Sequence, residues 1–217
     1  MTKCKKNETV KAFNLFLTNS EKIAKKNGDF KTAEMFRLMR RLTGQANNRG
    51  ESVTIDDIND LCKGYKIGGH GASKQVFIHD DLCIARVYSA STWDINQNVD
   101  QILNQIDFWN KIADTDDAVY FNPMITYGTH RGDKVGKGDK RTASVTYCIS
   151  QRCMVRESGD MRSFYEQKTG RNFDNDYRAT AEAGRRHGLH DEHGGNFGIM
   201  YNHALHTYRI VWIDYGL

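Results

Sequence analysis

From Asn7 to Lys26 the apolar residues Ala12, Phe13, Phe16, Leu17, Ile23 and Ala24 fall along one stripe at helical spacing. Asn27-Gly28 then supplies a stop, so the pattern predicts a first amphipathic helix. A second is predicted from Lys31 to Leu42, with Ala33, Met35, Phe36, Met39 and Leu42 inward and Gly44 beyond its end. A short third starts at "TIDDIND", where Thr54 can cap and Asp57 stands three residues on, and it closes at Gly64. Residues 1–63 therefore read as a small helical module, with the polar stretch "GQANNRGES" as its linker.

After Lys63 the texture changes. The runs "KQVFIH", "LCIARVYS", "AVYFNPMITYG", "ASVTYCISQ" and "YRIVWIDYG" are short and rich in β-branched and aromatic residues, and they read as strands. Between the second and third, a stripe from Trp93 to Ala113 carries Ile95, Val99, Ile102, Leu103, Ile106, Phe108 and Trp109 at helical spacing. The basic, glycine-rich "THRGDKVGKGDKRT" reads as a hairpin between two strands, and a further helix from about Asn175 to His187 leads into a polar loop. Strands, helix, strands, connecting helices, loop and strand in that order predict an α+β domain over residues 64–217, behind the helical module.

A chain of 217 residues has room for one well-cored domain and such an appendage. The net charge of +4 conceals an asymmetry: residues 1–50 hold 12 Lys and Arg against 4 Asp and Glu, about +8, which leaves about −4 for the remainder. The basic helices suit an acidic partner or the body of the chain itself. Without aromatic interleaving or a recognised motif, they do not point to nucleic acid. No apolar run approaches the roughly 18 residues of a membrane span, and the N-terminus lacks the apolar core of a secretory leader. Five cysteines, widely spaced and without a CxxC pair, fit reduced thiols; the expected location is the cytoplasm.

Candidate chemistry sits in three places. In "YKIGGHGASKQVFIH", Gly69 and Gly71 stand between two predicted strands, where the absence of Cβ atoms lets backbone amides approach phosphate oxygens. The ordinary reading of such a pair is a tight hairpin. In "HDEHGGN", Asp191 precedes Asn196 by five residues, and in "VWIDYGL" a second acid, Asp214, ends an apolar run. Phosphoryl transfer needs a carboxylate to orient the attacking hydroxyl, and an amide oxygen with another carboxylate to hold Mg²⁺ on a triphosphate.

In that order and spacing, the three motifs resemble those of kinase-fold phosphotransferases. "HDEHGGN" is similar to the H-x-D-x-H-x-x-N catalytic loop of aminoglycoside kinases and small bacteriophage kinases, and "DYG" is similar to DFG. The resemblance runs from about Tyr65 to Leu217. It implies a bilobal protein-kinase-like fold with an N-lobe over about 64–150 and a reduced C-lobe over about 151–217. It also implies Asp191 as catalytic base, Asn196 and Asp214 as Mg²⁺ ligands, His193 as a brace for the loop with His190 beside the motif, and ATP bound through Gly69, Gly71 and backbone groups near Gln151 to Met154, Cys153 among them.

Two departures accompany it. In "LCIARVY" the usual kinase lysine position holds Arg86, while Lys74 stands on the glycine loop as in the with-no-lysine kinases; either cation could reach the phosphates, and a solvated Lys74 is the plain alternative. No glutamate occurs between Trp93 and Asp114, so the partner of that cation falls to Gln105 or Asp107. Only Leu217 follows DYG, which leaves about Arg156 to Arg186 to furnish a lower lobe, or the N-terminal helices to hold the acceptor.

The expected activity is ATP- and Mg²⁺-dependent phosphorylation of Ser or Thr hydroxyls in a protein substrate, including the chain itself. The alternatives are a pseudokinase-type module acting through partners and a small-molecule kinase. A zinc site from His187, His190 and His193 is a third rival, but it leaves the glycine loop and DYG unaccounted for.

Overall fold

A computed structural model describes residues 8–30, 32–34, 36, 37, 40, 66–70, 75–79, 82–89, 93–134, 142–155 and 159–215. Helix α1, Glu8–Lys26, starts within a residue of its expected bound. Leu17 and Ala24 are buried, but Ile23, expected inward, is 60% exposed, and Glu21 takes a buried place in the stripe. Its carboxylate is tolerated there because Lys25 donates to one oxygen at 2.5 Å and Arg40 donates to the other. Gly28, at φ +75°, ends α1, and Asp29 accepts from the Thr32 amide at 3.1 Å to cap the helical residues that follow. The predicted helix from Thr54 to Gly64 lies outside the described residues.

Strands β1 (Lys66–His70), β2 (Gln75–His79), β3 (Leu82–Ser89), β4 (Met124–Lys134) and β5 (Thr142–Gln151) form one antiparallel sheet in the order β1-β2-β3-β5-β4. Helix α2, Trp93–Ile112, connects β3 to β4 and packs on β3 and β5. It buries Ile102, Ile106, Trp109 and Ile112 at helical spacing and turns Leu103 outward. The run expected as one strand from Ala118 instead forms a 3₁₀ turn, Asp116–Tyr120, and β4 begins after Pro123, which has no N–H for a ladder. The expected basic hairpin is partly strand: Thr129 to Lys134 belong to β4, and residues 135–141 lie outside the described set.

Below that sheet, helices α3 (Met161–Thr169) and α4 (Phe173–Arg186) pack on an antiparallel pair, β6 (Phe197–Asn202) and β7 (Thr207–Trp212). Asp160 and Asn172 cap the two helices by accepting from Ser163 and Asn175 amides. Trp212 is the center of this layer. Its ring packs 4.3 Å from Phe197, its indole N–H donates to the Thr180 carbonyl at 2.8 Å, and it lies so close to α4 that a Cβ on Gly184 would sit 2.5 Å from the ring. The architecture is thus α+β, with antiparallel sheets. Among the described residues no helix is long and apolar enough to cross a membrane.

Candidate active site

The polar loop begins where α4 ends. Gly188, at φ +83°, allows a Schellman turn in which the Leu189 amide donates to the Gly184 carbonyl at 3.0 Å and the Gly188 amide to Arg185 at 3.0 Å. Leu189 is buried as the apolar plug of that turn. Arg185 then grips Glu192 with two bonds, at 2.5 and 2.9 Å, which holds the Glu192 carboxyl below the usual carboxylate range. The backbone of the loop is therefore tied down on both sides of Asp191.

Asp191 itself is exposed, with His193 Nε2 3.8 Å from its carboxylate. His193 Nδ1 accepts from the Gly195 amide at 3.0 Å, capping the short 3₁₀ turn Gly194–Asn196. Asn196 is buried, and its Nδ2 donates to the Asp191 carbonyl at 2.9 Å. With its nitrogen so used, the amide presents its oxygen as the acceptor end.

The third expected residue is brought to the same place by strand pairing. Phe197 stands opposite Trp212, and one step further the Ile213 amide donates to the Asn196 carbonyl at 2.9 Å. Asp214 is the next residue along and is exposed. Asp191, Asn196 and Asp214 thus share one end of the β6–β7 pair, although the last two are 18 positions apart in the chain.

Two aromatic contacts and a hydrogen bond fix Tyr215. Tyr215 is buried against Phe108 of α2 and against Phe121, with ring centroids 5.2 and 5.6 Å away, and its hydroxyl donates to the Asn122 carbonyl at 2.6 Å. Burial pushes its phenol well above the ordinary value. Gln105 of α2 is only 6% exposed and donates from Nε2 to the Ile213 carbonyl at 3.1 Å, whereas Asp107 is exposed.

The segment after β5 is also anchored. Gln151 is buried; its Nε2 donates to the Tyr201 carbonyl at 2.6 Å, and its own carbonyl accepts from Asn122 Nδ2 at 2.9 Å. Met154 and Ile199 exchange amide-to-carbonyl bonds of 2.8 Å each, so Cys153 sits directly over β6. A Cβ on Gly198 would stand 2.7 Å from that of Cys153, which is why the strand carries glycine there. Burial, with Cys83 adding to it, pushes the Cys153 thiol far above its ordinary value.

At the other end of the sheet, β1 and β2 form a hairpin with an irregularity between Ile67 and Gly69, and Gly69 stands opposite Val76. Gly71 and Lys74 lie outside the described residues, as does the side chain of Arg86. The Arg86 backbone is paired with Gln75, the residue after Lys74, and with Tyr147.

The histidines do not gather. His187 bonds Asp117 at 2.9 Å and packs on Phe108 and Phe121, and among the described residues no group of three or more His, Cys, Asp or Glu side chains could hold a metal ion. Asp117 also accepts from Arg186 through two bonds, at 2.5 and 3.1 Å, and this guanidinium, with His187, holds its carboxyl below the usual range. A depressed folded-state value means the pairing stabilises the fold above the unfolded carboxylate value near 3.9 and is lost as pH falls through the folded one. Asp117→Asn is expected to cost about 1 kcal/mol at neutral pH, small because Arg186 is half exposed. Melting curves of the two proteins should converge in strong acid.

Compared with protein-family models, curated proteins and solved structures, the chain finds no match. Asn122 and Asp117 are supports that no motif signals, and Gln105, expected to partner a cation, donates to the Ile213 carbonyl; each is a polar residue with a partner far away in sequence.

Proposed function

We propose that the chain is an ATP- and Mg²⁺-dependent phosphotransferase of protein-kinase-like fold that phosphorylates protein Ser or Thr hydroxyls. The observation that carries this reading is the convergence of Asp191, Asn196 and Asp214 at one end of β6–β7, through the Asn196–Asp191 and Ile213–Asn196 hydrogen bonds. A second support is the order β1-β2-β3-β5-β4 with a helix between β3 and β4, followed by a linker onto a smaller pair of strands. An antiparallel sheet with one helix, followed by helices on a smaller pair of strands, supports the reading of an N-lobe over about 64–150 and a reduced C-lobe over about 151–217.

The donor set fits Mg²⁺. An amide oxygen and a carboxylate are hard ligands, and a magnesium site usually draws only one or two carboxylates from protein and the rest from phosphate and water. Asn196 and Asp214 would hold the ion, which when bound supplies charge neutralisation on the triphosphate. Asp191, exposed beside them, would accept a hydrogen bond from the acceptor hydroxyl, orient it, and take its proton. Gly69, Gly71 and Lys74, with Arg86, would steady the phosphates, and the backbone between Gln151 and Met154, Cys153 included, would meet the base.

A non-catalytic module is the second reading, and one observation favours it: among the described residues the amide nitrogen of Gln105 is used on the Ile213 carbonyl. A melting-temperature titration with ATP, with and without Mg²⁺, comes first, because a ligand that binds only the folded state raises that temperature. An Mg²⁺-dependent rise that Asp214→Ala removes is the expected result; an absent rise would turn attention to the partner-binding reading. Transfer of labelled phosphate to a general protein acceptor or to the chain itself then separates an enzyme from a nucleotide-binding scaffold.

A further inference from the structure

We propose that Gln105 is a positioning residue for Asp214, and that this site requires an amide where the resemblance would put a glutamate. The inference rests on the phosphotransfer reading and adds a device to it. Both backbone groups of Ile213 are committed: its amide donates to the Asn196 carbonyl at 2.9 Å, and its carbonyl accepts from Gln105 Nε2 at 3.1 Å. That carbonyl belongs to the peptide plane whose nitrogen is Asp214's own. Holding it fixes the plane from which the Asp214 side chain departs.

On the other side, Tyr215 is locked by its 2.6 Å bond to Asn122 and by the rings of Phe108 and Phe121. Asp214 is therefore an exposed carboxylate strung between two anchored neighbors, one of them tied to α2 by Gln105. The chemistry of that tie is one-directional. A carbonyl accepts, so its partner must donate, and an ionised glutamate offers only acceptors. In the buried setting of residue 105 a glutamate would either face that carbonyl as a second acceptor or have to bind a proton in order to donate, and both cost free energy that the neutral amide does not. Asp107 cannot substitute, since two positions on it lies on the opposite side of the helix and faces solvent. Helix α2 thus serves the metal end of the site through a neutral amide, and the missing helix glutamate is no defect.

The test is an Mg²⁺ titration of the ATP-induced melting shift for wild type, Gln105→Met and Gln105→Glu, with the ligand-free melting temperature and the shift with metal-free ATP measured alongside. Gln105→Met keeps the length and removes the donor; the Mg²⁺ concentration for half the effect should rise about tenfold, the worth of one such hydrogen bond. Gln105→Glu should need more Mg²⁺ still, and the metal-free ATP shift should stay at its wild-type value in both. That last comparison separates positioning of the metal ligand from general loosening of the fold, which would weaken both shifts together. Where Gln105→Glu is too unstable to measure, Gln105→Met decides alone. Equal Mg²⁺ requirements in wild type and Gln105→Met, or a glutamate variant that binds Mg²⁺ as well as wild type, would overturn the proposal. A wild-type protein that shifts with metal-free ATP but not further with Mg²⁺ would overturn both this inference and the metal assignment of Asp214 and Asn196.

Discussion

Asp191→Asn is expected to lower phosphate transfer by about 10²–10⁴-fold, the range a positioned general base contributes. The same variant should retain its melting temperature and its full Mg²⁺- and ATP-dependent shift. The reason lies in how the loop is held. Asn196 bonds the Asp191 backbone carbonyl, not its carboxylate, and the loop is otherwise fixed by Arg185–Glu192, the Schellman turn and the Gly195–His193 cap. The carboxylate itself is two-thirds exposed, and among the described residues its ion-pair neighbour is His193 at 3.8 Å. Nothing structural depends on its charge, so an isosteric amide removes the base and leaves the scaffold. A single-turnover assay with labelled ATP is the check, and transfer at wild-type rate would remove Asp191 from the role proposed for it.

The largest effect on stability is expected from Trp212→Ala. Truncating a fully buried indole costs about 3–5 kcal/mol through lost burial and the cavity left behind. Here the ring also gives the Thr180 carbonyl its donor and fills the space that Gly184 leaves open on α4. For a chain of this length, 1 kcal/mol corresponds to roughly 2–4 °C, so the melting temperature should fall on the order of 10 °C. Nucleotide binding should weaken with it, because the Trp212 backbone carries the Asn122 amide bond and its strand delivers Asp214. Differential scanning calorimetry measures the first effect. A loss below 1 kcal/mol would mean that the α4 and β6–β7 layers do not pack as described.

The elements that were legible beforehand are those whose own residues declare them. Helix α2 buries Ile102, Ile106 and Trp109 as its stripe predicts, and α1 ends at Gly28 as expected. Strand β6 gave no such signal. It is six residues long and buried on both faces along most of its length, so the period-two alternation of a half-exposed strand is absent. Ala118 to Phe121 looked like strand because apolar residues dominate it, but Asp116 and Asp117 open a 3₁₀ turn there, and Pro123 delays the ladder. Ile23 lies exposed and Glu21 buried because Lys25, one turn on, and Arg40, brought from 19 residues away, make a buried carboxylate tolerable.

For the candidate site, local sequence determined which chemistry was present: an acid and an amide five residues apart, a second acid after an apolar run, and glycines between two strands. Those readings depend on side-chain type and short spacing, which a one-dimensional string preserves. Tertiary structure alone decided that Asn196 and Asp214 meet, through the β6–β7 register, and that Gln105 serves a carbonyl while Asp107 faces water. It also turned His187 toward Asp117 and away from the other histidines. The physical reason is that a hydrogen bond needs a partner at about 3 Å, and in this chain the deciding partners come from segments many residues apart.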